Sequence, residues 1–260
     1  MKQFIDYFWN NKDFIYDPEM GMPLSIYHLV MMSFTVLLFI ILWLIGKKVK
    51  KKECFILTLS LSLFILEALR VLNFKYVYKL TWIGSFSFHM CSLGVYFAVV
   101  LIFVKKKWMY DVLMVQAIIG APLAIIFSGG ILPWFNKYSF MPIQSFITHT
   151  ILFIIPLYAF ENDLWQVKVK NYYISFLSVL FSIIVAYIMS GVNIKYQTGG
   201  FKNFFWTRYV DPAFKEVVDW PYPYHFIALS ITFIIVGFIT ALILQTKQQK
   251  KYLYLKIFSG

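Results

Sequence analysis

Residues 24–46 read LSIYHLVMMSFTVLLFIILWLIG, and the next six positions are Lys47-Lys48-Val49-Lys50-Lys51-Lys52. A stretch of 23 residues with no Asp, Glu, Lys or Arg makes a helix of roughly 34 Å, enough to cross about 30 Å of hydrocarbon. The lysine cluster marks where the chain returns to water, and on which side, because cytoplasmic loops retain positive charge. Six more apolar runs follow at 53–74, 82–104, 108–128, 143–160, 172–190 and 222–244, each bounded by Lys, Trp, Tyr or Pro. The pattern predicts an all-α membrane protein, a bundle of about seven transmembrane helices forming one domain over 1–260.

Composition agrees. Of 260 residues, 60% are hydrophobic and 14% charged, against about 25% charged in soluble domains. A water-soluble globule, a disordered chain, collagen and a coiled coil are excluded. The net charge of +12 would raise nucleic acid as a partner in a soluble protein. Here 14 Lys fall on one side of the spans and nine Lys and Arg on the other, four of the nine within the long connection 191–221. This asymmetry places the N-terminus outside and the C-terminus in the cytoplasm, as expected of a multi-pass protein of the cell membrane. Topology and attraction to anionic headgroups account for the charge without nucleic acid.

Segment 1–23 is polar, acidic and aromatic, with Asp6, Asp13, Asp17 and Glu19. It lacks the basic-then-apolar order of a signal peptide and reads as an amphipathic segment on the outer surface. Cys54 and Cys91 fall at different depths, which argues against a disulfide. The loop 191–221 is rich in aromatics and is expected to cap a cavity mouth.

Ionisable side chains within a span are costly and are functional candidates by default. Counted from the outer end of each span, depth is about 5–6 Å for His28, Arg70 and His225, about 9–10 Å for Glu67, His89 and His149, and about 13 Å for Cys91. Five helices thus bring these groups to the outer half of the bilayer, which points to one polar cavity opening outward. Asp111 alone lies near the inner end. A structural reading stands beside the functional one: interfacial histidines often bond headgroups or carbonyls, and Glu67 and Arg70, spaced i,i+3, can simply neutralise one another. Alternatively Arg70 meets a phosphate or carboxylate while Glu67 holds it.

On a helix His89 and Cys91 point about 200° apart, so a base for a Cys91 nucleophile comes from another helix, with His149 best placed by depth. Ser92, three residues from His89, is a lesser nucleophile. The same histidines with Glu67 could supply zinc ligands, but no i,i+4 His pair or HExxH pattern is present. No metal site and no cofactor is therefore assigned.

The segment Ser87-Phe88-His89-Met90-Cys91-Ser92-Leu93 resembles the PLHLCSL signature of the YwaF-type integral membrane proteins, a group related to an animal transmembrane acyltransferase family. Phe127-Ser128-Gly129-Gly130, the stretch around His149 and Trp220-Pro221-Tyr222-Pro223-Tyr224 agree in order and spacing. The proline usual before the histidine is replaced here by Ser87-Phe88, which bears on helix geometry near His89. The family's GxNY step reads Gly191-Val192-Asn193-Ile194.

The resemblance implies acyl transfer through a thioester on Cys91, with His149 or His89 as base. Arg70, Glu67, His28, His225 and Asn193 would then serve as substrate-binding residues. The partners implied are a membrane phospholipid as donor and a lysolipid or lipoprotein as acceptor. A non-enzymatic membrane carrier is the alternative reading, and a zinc-dependent membrane hydrolase the third.

Overall fold

The computed structural model describes residues 8–9, 25–127, 135, 139–198 and 224–258, apart from the side chains of 225, 226 and 253–258. Among these residues every regular element is helical. Helix α1 covers Ile26–Lys48, α2 Lys52–Tyr76, α3 Trp82–Ser85 and α4 Met90–Val104. Helix α5 covers Trp108–Ile126 and is π-helical over Met114–Gly120. Helix α6 covers Phe140–Glu161. A 3-10 turn at Val169–Asn171 leads into α7, Tyr172–Lys195, and α8 covers Tyr224–Phe258.

Six of these elements are long and apolar enough to cross a membrane, and α4 is a shorter apolar helix. The chain is a helical membrane bundle. In α6, 72% of the span is buried, against 17% in α1 and α8. Helix α6 is therefore the central post, packed on α1, α2, α4 and α5, while α1 and α8 turn most of their apolar surface outward, as spans facing lipid do.

The lysine-rich segments around 46–52 and 247–251 meet the stretch 158–163 at one end of the bundle. There the Tyr158 hydroxyl donates to the Gly46 carbonyl at 2.8 Å, and Lys52 Nζ donates to the same oxygen at 3.0 Å. The expected inner-end Asp111 is buried and accepts from Trp165 Nε1 at 3.0 Å.

Three expectations need correction. The run 82–104 is not one helix: α3 stops at Ser85, and α4 starts at Met90. Phe86 and His89 are extended, with ψ of 142° and 153°. The short helix before the break is fixed at its start by hydroxyl groups. Thr81 Oγ1 accepts from the Gly84 amide at 3.0 Å, and Ser85 Oγ donates to the Thr81 carbonyl at 2.8 Å. Non-helical backbone at membrane depth is tolerable where protein surrounds it, and Ser85 and Ser87 are buried.

The helix expected over 172–190 continues to Lys195, which moves Asn193 from the loop into the last turns of α7. The helix expected to end at 244 continues to Phe258. Its polar extension is held by the connection before α7: Val169 N donates to Gln245 Oε1 at 2.7 Å, Val167 N to Gln248 Oε1 at 3.2 Å, and Lys251 pairs with Asp163 at 2.8 Å. Lys247 pairs with Glu161.

The π-helical stretch also has local causes. Pro122 has no N–H to offer the Ile118 carbonyl, so the ladder of α5 is already interrupted near its end. Ahead of the widened turn, Ser175 Oγ donates to the Asp111 carbonyl at 2.5 Å and Ser178 Oγ to the Val112 carbonyl at 2.9 Å. Helix α7 thereby takes over carbonyl partners at the point where α5 departs from regular geometry.

Candidate functional site

At the end of the bundle away from the lysines, Glu67 and Arg70 lie on one face of α2 and are both buried. Arg70 Nε donates to Glu67 Oε2 at 2.8 Å and Nη2 to Oε1 at 2.6 Å, a two-pronged contact. The guanidinium also stands 5.3 Å from the Phe74 ring centre. The Tyr96 hydroxyl, reaching from α4, is 2.8 Å from Glu67 Oε1 and 2.9 Å from the Ser87 carbonyl oxygen. Both oxygens accept, so the single phenolic proton serves two partners.

His89 immediately precedes α4, and its side chain does not cap that helix. It is close enough to interact electrostatically with Arg70 and with His149. His149, on α6, has Nδ1 at 2.7 Å from the Ser145 carbonyl oxygen. A carbonyl can only accept, so Nδ1 carries the proton, and in the neutral form of the ring the lone pair lies on Nε2. Gln144 Nε2 donates to Thr148 Oγ1 at 3.0 Å and to the Leu66 carbonyl at 3.4 Å, tying this part of α6 to α2 beside Glu67.

Cys91 is the second residue of α4 and is half-buried. Its sulfur lies against Gly120 at the end of the π-helical stretch, 3.5 Å from where a Cβ on that glycine would stand. The Met90, Cys91 and Ser92 amides have no acceptor within the helix. The thiol thus sits at a helix start where partial positive charge gathers.

The other candidates have separate partners. His28 is buried, its Nε2 2.9 Å from the Ile125 carbonyl oxygen and its ring edge-on to Phe146, so it braces α1 against α5 and α6. Asn193 is fully buried and accepts from Thr198 Oγ1 at 2.6 Å. The Thr198 carbonyl in turn accepts from Thr81 N and Thr81 Oγ1, so Asn193 anchors the start of α3, next to the break. The side chain of His225 lies outside the described residues. So do 199–221 of the expected cap and all of segment 1–23 except Phe8 and Trp9. Trp9 stacks on Phe140 at 4.7 Å, and its carbonyl accepts from Asn73 Nδ2 at 3.3 Å. Among the described residues no group of three His, Cys, Asp or Glu side chains is arranged to hold a metal ion.

A model described as the TMEM164 family matches residues 23–251, from just before α1 into the polar extension of α8. The chain belongs to the TMEM164 family. Comparison with curated proteins and with solved structures gives no match. In this TMEM164-family protein the residues that the sequence reading missed are uncharged: Tyr96, Ser87, Gln144 and Gly120. Tyr96 stands seven residues after His89, a spacing that would place both on one helix face, and this was the available signal.

Proposed function

We propose that this TMEM164-family protein is a membrane-embedded acyltransferase of the cell membrane that works from the outer face through a thioester on Cys91. The observation that carries this reading is the position of Cys91: in the first turn of α4, at the edge of a helix break, two residues after His89, which itself interacts with Arg70 and His149. The YwaF-like His89-Met90-Cys91-Ser92 segment points the same way.

The chemistry proceeds in two halves. His149 Nε2 takes the thiol proton, and the Cys91 sulfur attacks the ester carbonyl of a phospholipid. The tetrahedral oxyanion is met by His89 and by the amides of the first turn of α4. The ester C–O bond breaks, the lysophospholipid oxygen receives the proton from His149, and the acyl group stays on sulfur. A lysolipid hydroxyl or lipoprotein amine then gives a proton to His149, attacks the thioester and releases Cys91, which is reprotonated. Arg70 holds the donor phosphate with the N–H groups that Glu67 leaves unused. A helix break and a π-helical stretch meeting at one cysteine support a functional assignment, since such departures concentrate at working sites.

The test is intact mass of the parent and of Cys91→Ala after loading with phospholipid vesicles, before and after neutral hydroxylamine. An acyl adduct on the parent alone, removed by hydroxylamine, is expected. Absence of an adduct, together with retained lipid handling by Cys91→Ser, overturns the thioester and leaves the carrier reading.

A further inference from the structure

The break at 86–89 raises a physical question, because extended backbone between two helix pieces has no ladder of its own to fix it. Ser87, four residues before Cys91, is held at two atoms. Its hydroxyl accepts from Ser92 Oγ at 2.9 Å, and its carbonyl faces the Tyr96 hydroxyl at 2.9 Å. The Ser92 tie is local, joining the break to the first turn of α4 five residues on. The Tyr96 tie is different in kind, because the same hydroxyl reaches Glu67 on α2 at 2.8 Å.

We infer that Tyr96 is a positioning residue that sets where the break presents His89 and Cys91 relative to the Glu67–Arg70 pair. This deepens the acyl-transfer reading and rests on it for its catalytic meaning, though not for its geometry. One proton shared between a carboxylate and a peptide carbonyl links the ion pair on α2 to the backbone leading into the cysteine. Glu67 keeps both Arg70 contacts without Tyr96, so the guanidinium stays fixed on α2 although it loses its own interaction with the Tyr96 hydroxyl. The start of α4 loses its cross-link to α2.

Tyr96→Phe removes that hydroxyl and keeps the ring. The protein has two cysteines, so in a Cys54→Ser background intact mass follows alkylation of Cys91 by N-ethylmaleimide alone. The expected result is a severalfold change in the alkylation rate, with an unchanged melting temperature. Acylation from phosphatidylcholine–phosphatidylethanolamine vesicles slows about tenfold at an unchanged half-saturating lipid concentration.

Ser92→Ala, which cuts only the local tie, shifts alkylation less. Equal shifts in the two variants would mean general loosening and overturn the specific role. Parent-like alkylation and acylation in Tyr96→Phe would overturn the inference while leaving acyl transfer standing. Altered alkylation in Tyr96→Phe, with no adduct even on the parent, supports the positioning role and removes the enzyme reading instead.

Discussion

The Cys91 sulfur rests against Gly120, on helix α5, which packs on the first turn of α4. A Cβ at position 120 would stand 3.5 Å from that sulfur and 2.9 Å from Met90 Cε. The absence of a side chain at 120 is what lets the π-helical part of α5 form the wall beside the thiol.

Gly120→Ala is therefore expected to fold, because the closer of the two neighbours is the flexible end of a methionine. The cost is about 1 kcal/mol of overpacking, and Cys91 alkylation slows as the wall advances on it. Thermal unfolding in detergent and alkylation kinetics on the same preparation check both parts.

Breaking the Glu67–Arg70 pair from one side strands a buried charge. Glu67→Leu alone is expected to destabilise by about 3–5 kcal/mol, and the double variant Glu67→Leu/Arg70→Met by much less, since no uncompensated charge remains. Melting temperatures of the two variants, compared with the parent, decide it.

His149 and His28 separate by role. His149→Gln is expected to abolish the hydroxylamine-labile adduct while the protein melts near the parent temperature. His28→Ala loses the tie to the Ile125 carbonyl and costs about 1–3 kcal/mol for the unsatisfied buried group, with the adduct retained. Adduct formation and melting, measured on both variants, distinguish the two outcomes.

At the lysine-rich end, Gly46→Ala places a Cβ 2.7 Å from Tyr158 Cε2 and 2.8 Å from Phe55 Cε1. Both neighbours are rigid rings, so helix α1 must move away from α6. A loss of about 1–3 kcal/mol is expected, seen as a lowered melting temperature with Cys91 alkylation unchanged.

Much of the architecture was legible because lipid imposes a simple demand, a long apolar run closed by lysines or aromatics. What stayed hidden depends on partners remote in sequence. The break after Ser85 is stabilised by Tyr96 and by Thr81 bonding to Thr198, and the longer α7 by Asn193 with Thr198. Depth along a span put Glu67, Arg70, His89 and His149 in the same outer half of the bilayer, but depth carries no azimuth. His28 shares nearly that level and yet turns toward Ile125. Tyr96 escaped notice because a phenol in an apolar run looks like one more aromatic.

Helix α4 has 15 residues, hence a length of roughly 22 Å, some 8 Å short of an ordinary hydrocarbon layer. With its lysine end at one headgroup plane, the cysteine sits well beneath the opposite plane. The break and α3 cover the remaining depth, so in the proposed acyl transfer a lipid ester descends to meet the thiol. Bilayer thickness thereby becomes a variable of the proposed acyl transfer: thin membranes bring the ester level toward Cys91 and thick ones carry it away.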